Sequence, residues 1–330
     1  MSMKLAVFNT HSYDKAFFEQ ANNGFGLDIS FFEPRLTVET VKLAEKYPAV
    51  CAFVNDVVDR EVIEQLAKGD TKLIALRSAG YNNVDLAAAK QYDINVANVP
   101  AYSPESVAEY TVGMMLTLNR KIHRAYNRVK ESNFALNGFI GFDFHNRTVG
   151  VIGTGRIGTA VVKIMHGMGC RVLAYDPVQN EACLELGVNY VGLPELLAES
   201  DVITLHCPMT EDNYHIIDEK AVKAMKDGVM LLNTSRGGLI DTDAVIAGLK
   251  SGKISNLGLD VYENEKPLLY DDHSNELLLD DVLGRLLTFP NVLITGHQGF
   301  FTEDALSAIA STTLYNVKCF YENKTSGNEL

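Results

Sequence analysis

Residues 148–158 (TVGVIGTGRIG) carry a strand pattern straight into G-x-G-x-x-G. An apolar helical pattern follows (Ile157, Ala160, Val161, Ile164, Met165, Met168), and residues 171–176 (RVLAYD) form a second strand pattern that ends on an acid. Each glycine does something different: Gly153 permits the tight turn, Gly155 lets backbone approach a pyrophosphate, and Gly158 lets helix and strand pack closely. The free N–H groups and partial positive charge of the helix N-terminus favour a dianionic linker there. Asp176 stands where a carboxylate accepts hydrogen bonds from an adenosine ribose, and its charge repels a 2′-phosphate. Strand, glycine turn, helix and acid-tipped strand together specify a dinucleotide-binding unit, with NAD favoured over NADP.

The unit begins near the middle of the chain, so a second body of comparable size precedes it. There, strand patterns at residues 5–8, 29–32, 49–54, 73–76 and 95–97 alternate with helical stretches, and Asp59 and Asp85 read as helix N-caps. Repeated βα units predict a parallel sheet covered by helices, without a phosphate loop of its own. Ser103 and Pro104 read as the cap and first turn of a long helix over 106–133, which puts a boundary near residue 101. Beyond Asp176, strands are expected at 202–205, 229–232, 257–260 and 292–295. Periodicity assigns the last helical segment, 303–321, to neither sheet. The fold class is therefore α/β, with two doubly wound parallel-sheet domains.

At 330 residues, 47% apolar and 22% charged, the chain is long enough for two packed cores. A net charge of −13 with no long basic tract argues against a nucleic-acid partner. The densest basic run (Arg120, Lys121, Arg124, Arg128, Lys130, with His123) reads as a solvated or subunit-facing helix surface. Five cysteines (Cys51, Cys170, Cys183, Cys207, Cys319) lack C-x-x-C or metal spacing and read as buried thiols of a reducing compartment. No run approaches the ~18 apolar residues of a membrane span. The first residues do not resemble a signal peptide, so a cytoplasmic protein without membrane partners is expected.

Three charged residues follow strand ends in the second half: Arg236, Glu265 and His297. Ligands of open α/β sheets bind outside the carboxyl ends of the strands, so all three converge on one crevice. Arg236 precedes two glycines and suits bidentate pairing with a carboxylate. A carboxylate on one nitrogen of His297 would fix its tautomer, favour the protonated ring, and leave the other nitrogen to give a proton to a carbonyl oxygen. Spacing alone does not choose between Glu263 and Glu265 as that carboxylate. His206, also at a strand end, has no second and third ligand at metal spacing, so it reads as a cofactor-lining or packing residue and no metal is expected. Arginine, carboxylate, histidine and a nicotinamide together describe hydride transfer to a 2-keto acid.

Residues 75–85 (ALRSAGYNNVD), 99–104 (VPAYSP), 148–176, 205–210 (LHCPMT), 233–241 (NTSRGGLID), 260–265 (DVYENE) and 296–298 (GHQ) occur in this order. Through them the whole chain resembles the D-isomer-specific 2-hydroxyacid dehydrogenases, and within that family the NAD-dependent fermentative D-lactate branch of bacteria. The resemblance implies a discontinuous flavodoxin-like substrate domain, 1–101 plus 299–330, hinged across a cleft to a Rossmann cofactor domain, 102–298. It implies that Arg236 binds substrate, that Glu265 tunes the histidine, which demotes Glu263, and that His297 is the proton donor. It further implies NAD contacts from Arg156, Ile157, Asp176, Cys207, Pro208, Asn213, Thr234, Ser235 and Asp260, beside Gly153, Gly155 and Gly158. Backbone N–H groups of Ala79 and Gly80 would hold the substrate carboxylate, with Tyr102 closing over it.

The activity so implied is reversible reduction of pyruvate to D-lactate by NADH. If Phe53, Tyr102, Phe300 and Phe301 line the pocket, their bulk favours a small 2-keto acid; the same residues equally suit a core. A branched or aromatic 2-keto acid is the nearest rival substrate, and a NAD-sensing scaffold without turnover is the rival of another class. Family precedent and the helix after Pro104 point to a homo-oligomer, a dimer or a dimer of dimers.

Overall fold

In a computed structural model, residues 3–265 and 267–330 are described; residues 1 and 2 of the expected first domain lie outside them. The chain forms two compact units: Met1–Ser103 with Phe301–Leu330, and Pro104–Phe300.

The first unit contains β1 (Lys4–Val7), α1 (Ser12–Asn22), β2 (Asp28–Phe31), β3 (Ala49–Ala52), α2 (Arg60–Lys68), β4 (Leu73–Leu76), α3 (Leu86–Gln91) and β5 (Asn95–Ala97). Its strands form an all-parallel sheet in the order β2-β1-β3-β4-β5. Alternate residues feed two cores, as the two-residue strand period requires. Ala6, Val50, Ile74 and Val96 face one; Leu5, Val7, Cys51, Ala75 and Ala97 face the other. The carboxylates of Asp59 and Asp85 accept the N–H groups of Val62 and Ala88 and so cap α2 and α3.

The C-terminal helix Glu303–Tyr321 closes the second of these cores with Ala310, Leu314 and Val317, which recur at helical spacing. That contact settles which sheet it covers. Helix and tail both reinforce it: Asn316 Nδ2 donates to Asn98 O at 2.8 Å, and Leu330 N–H to Val96 O at 2.9 Å.

The second unit opens with a helix that the sequence pattern draws as continuous. The structure breaks it into α4 (Pro104–Arg120) and α5 (Ile122–Lys130). Lys121 sits between them at φ 51°, a left-handed conformation that costs a non-glycine residue energy and stops helix propagation. Its carbonyl then starts α5 by accepting the N–H groups of Arg124 and Ala125.

After the break come β6 (Thr148–Ile152), α6 (Arg156–Gly167), β7 (Arg171–Tyr175), α7 (Glu181–Glu185), β8 (Asn189–Tyr190), α8 (Leu193–Glu199), β9 (Val202–Leu205), α9 (Glu219–Ala224), β10 (Val229–Asn233), α10 (Thr242–Ser251), β11 (Ile254–Leu259), α11 (Asp281–Leu287) and β12 (Val292–Ile294). The strands run parallel in the order β12-β11-β10-β9-β6-β7-β8. The chain travels outward from β6 through β7 and β8, then returns to β6's other side at β9. The order therefore reverses between β6 and β9, the topological switch point at which such sheets bind ligands.

Candidate active site

The turn after β6 is built around its glycines. Gly153 has φ +94°, and a Cβ there would lie 2.5 Å from Cys207 N. On Gly158 a Cβ would lie 1.9 Å from Gly153 O, so only glycine lets α6 start this close to the strand. Gly155, by contrast, would meet nothing within 4 Å, which leaves open space at the N-terminus of α6. Arg156 and Ile157 form the first helical positions, and no side chain caps this end. Asp176, just past β7, accepts the N–H groups of Thr154 (2.7 Å) and Val178 (2.9 Å), which fixes its carboxylate beside the glycine turn. A glycine cradle, an uncapped helix N-terminus and an anchored carboxylate fit a dinucleotide.

Beside this turn, the loop after β9 is braced internally. Asn213 Nδ2 donates to Pro208 O at 2.7 Å, its Oδ1 accepts Thr210 N–H at 2.7 Å, and Ser235 Oγ donates to Cys207 O at 2.6 Å. Thr234 is buried with its hydroxyl 2.8 Å from that of Thr111. Cys207 is half-buried, unlike the other four thiols, and burial raises it to about 11. His206 is buried with Nε2 2.9 Å from Thr204 Oγ1, and burial lowers it to about 3, so the ring is neutral. Among the described residues, no group of three or more His, Cys, Asp or Glu is arranged to hold a metal ion.

Beyond β12 the chain turns sharply, and His297 takes φ 52°. Asp260, at the end of β11 and 2% exposed, holds this turn together. Its Oδ1 accepts Thr295 Oγ1 (2.6 Å) and Gln298 N–H (3.0 Å), its Oδ2 accepts Gly299 N–H (2.8 Å), and its carbonyl accepts His297 N–H (2.8 Å). A left-handed histidine is thus held by four bonds from one residue. Sequence reasoning placed Asp260 only among cofactor contacts; an acid at a strand end gives no sign of its bonds to a segment so far along the chain.

Glu265 Oε1 lies 3.0 Å from His297 Nδ1, and Glu265 Oε2 accepts Tyr262 N–H at 3.0 Å. With Nδ1 on the carboxylate, Nε2 is the nitrogen left for a substrate. Glu263 turns elsewhere, to His215 at 2.7 Å. Arg236 follows β10 in extended backbone; its Nη1 donates to Ser235 O at 2.7 Å, and its carbonyl accepts Asn233 Nδ2 at 2.8 Å. The turn after Arg236 packs on the Glu265 segment so tightly that a Cβ on Gly237 would lie 2.2 Å from Tyr262 C. Arg236, Glu265 and His297 are therefore carried on mutually packed segments.

In the first unit, Asn98 Nδ2 donates to Ala79 O and Ser78 Oγ to Gly80 O, both at 2.8 Å, which sets the planes of those peptides. Arg77 beneath them is buried, 3.0 Å from Asp14 Oδ1, with its guanidinium 4.2 Å from the Phe53 ring centroid. Phe53 is 6% exposed and belongs to the core. Phe301 is 46% exposed against Tyr13, and Phe300 packs on Tyr270. Tyr102 is half-buried. No helix of the described residues is long and apolar enough to cross a membrane.

Residues 112–299 match the family described as D-isomer specific 2-hydroxyacid dehydrogenase, NAD binding domain. The chain is 54% identical to the D-lactate dehydrogenase of Escherichia coli over 328 residues, covering 99% of this chain and all of the relative. The apo structure of D-lactate dehydrogenase from Escherichia coli superposes with a TM-score of 0.92 at 52% identity and 99% coverage of both chains. A D-lactate dehydrogenase from Aquifex aeolicus, solved with NAD and lactic acid, gives 0.87 at 36% identity, with 99% of this chain and 98% of that one covered. Two parallel α/β units, a dinucleotide turn and end-to-end similarity at this level have one consequence: the chain belongs to the D-isomer-specific 2-hydroxyacid dehydrogenase family.

Proposed function

We propose that the protein is an NAD-dependent D-lactate dehydrogenase, catalysing reversible reduction of pyruvate to D-lactate. The observation that carries this reading is the Glu265–His297 pair, set by Asp260 in the unit that bears the dinucleotide turn. The identity to a D-lactate dehydrogenase along the whole chain supports the choice of substrate.

The glycines 153, 155 and 158, with Arg156, Ile157, Asp176, Cys207, Pro208, Asn213, Thr234, Ser235 and Asp260, would hold the cofactor. When bound, NADH supplies the hydride for the carbonyl carbon. Arg236 binds the substrate carboxylate and polarises the keto oxygen. Backbone N–H groups of Ala79 and Gly80 share that carboxylate, and Tyr102 covers it. Glu265 holds the proton of His297 Nδ1, which leaves Nε2 to carry the proton destined for the keto oxygen. Positive charge on Arg236 and on protonated His297 stabilises alkoxide character as it develops. In lactate oxidation the same nitrogen takes the hydroxyl proton.

Met1–Ser103 with Phe301–Leu330 is proposed as the substrate domain and Pro104–Phe300 as the cofactor domain. A cytoplasmic homo-oligomer, with no nucleic-acid or membrane partner, completes the reading. The homo-oligomer is supported by the face of α5, where Ile122, Tyr126 and Val129 are exposed among basic residues. A spectrophotometric panel of pyruvate, 2-ketoisocaproate and phenylpyruvate with NADH, followed by chiral analysis of the product, tests the proposal. Highest kcat/KM for pyruvate and D-lactate as product is the expected result. L-lactate, or a preference for the larger acids, would overturn it.

A further inference from the structure

Glu263 and Glu265 flank Asn264, and each holds a different histidine. Glu263 Oε1 accepts Tyr214 Oη and lies 2.7 Å from His215 Nε2; its Oε2 accepts Thr242 Oγ1 at 3.3 Å. One carboxylate thus ties together the loop before α9, the start of α10 and the segment that carries Glu265. These three surround the turn Gly237–Leu239 that follows Arg236. His215 N–H donates to Gly238 O at 2.9 Å and Ile217 N–H to Leu239 O at 3.1 Å. A Cβ on Gly237 would lie 2.4 Å from Glu263 N, and one on Gly238 3.1 Å from Tyr214 Cε2. His215 itself takes φ 53°, a strained conformation for a histidine that its bonds to Glu263 and Gly238 hold in place.

We propose that Glu263 and His215 are positioning residues: their hydrogen-bonded pair clamps the turn behind Arg236 onto the segment bearing Glu265, and so fixes the spacing of guanidinium and imidazole around the substrate. The inference rests on the substrate role of Arg236 and the acid role of His297. The side chains of His215 and Glu263 are 28% and 23% exposed, so the contact is partly screened by solvent and breaking it should cost less stability than breaking a fully buried pair. Its effect should therefore fall mainly on substrate geometry.

The test uses Glu263→Gln, which keeps shape but loses the charge, and His215→Gln as an independent second variant, each alone and combined with Arg236→Lys. The readouts are kcat and KM for pyruvate, Kd for NADH, and Tm. Each clamp variant should raise pyruvate KM about tenfold, the scale of one lost hydrogen bond to a charged group, with NADH Kd unchanged and Tm little changed. Combined with Arg236→Lys, it should add little further loss, because the guanidinium it positions is already gone. Unchanged pyruvate KM in both variants, additive losses in the combination, or losses that only track Tm would overturn the clamp. Wild-type kinetics in Arg236→Lys alone would instead sink the substrate role of Arg236, so the two failures are separable.

Discussion

Replacing Asp260 by Asn tests how much of the active-site geometry rests on one buried carboxylate. Its two oxygens accept three hydrogen bonds, from Thr295 Oγ1, Gln298 N–H and Gly299 N–H. An amide has only one acceptor oxygen. Whichever way it flips, its NH2 group faces at least one N–H donor, and that donor loses its acceptor in a site 2% exposed. A hydrogen bond to a charged group contributes about 1.5–3 kcal/mol, and each ~1.4 kcal/mol is tenfold, so kcat/KM for pyruvate should fall about 10- to 150-fold. The loss should lie mainly in kcat, because His297 is displaced while the glycine turn at Gly153–Gly158 is untouched, and NADH affinity should fall only by the one contact proposed for Asp260 itself. Steady-state kinetics with pyruvate, NADH titration and thermal unfolding separate these effects. Wild-type kcat at unchanged Tm would refute the reasoning, and a loss confined to NADH affinity would make Asp260 a cofactor contact alone.

Arg236→Gln should chiefly raise pyruvate KM by removing the bidentate partner; unaltered KM and kcat would contradict that role. In Asp176→Ala, the ratio of kcat/KM for NADH over NADPH should shrink, because the carboxylate that repels a 2′-phosphate is gone, and a constant ratio would refute the ribose assignment. Asp56 supplies a pH prediction. Burial pushes its carboxyl up to about 6, against the lowering effect of the N–H groups of Phe53 and Leu36. The folded state therefore favours the neutral acid: this stabilisation is complete below the unfolded value of about 4 and is lost as pH rises through about 6. Urea unfolding followed by circular dichroism should show Asp56→Asn flattening the pH dependence of stability between about pH 4 and 6, and parallel wild-type and variant profiles would count against it.

Strand ends were legible because the sequence punctuates them. Apolar runs stop at Asp176, His206 and Asn233, and the predicted ends of β4, β5, β6 and β9 coincide with the observed ones. The family, too, was legible, since its motifs are long and ordered. What escaped depends on packing across the chain. Nothing in Arg120-Lys121-Ile122 announces a left-handed residue, because lysine is a good helix former and the segment carries no glycine or proline. The two residues of β8 are too few to show a period. Periodicity left the last helix with neither sheet; the family resemblance placed it with the first domain, and its contacts are with that domain's sheet. Glu263 and Glu265 are alike in sequence; they part because the packed segments around them offer each a different histidine, His215 to one and His297 to the other.

The proposed chemistry turns on His297 Nε2 carrying the proton for a small 2-keto acid reduced at this site. Single-turnover reduction of pyruvate by pre-bound NADH in His297→Ala measures that role without product release. The expected result is a rate lowered by about 10²–10⁴, the usual scale of acid catalysis, with NADH affinity intact. A single-turnover rate close to that of the unaltered protein would contradict it.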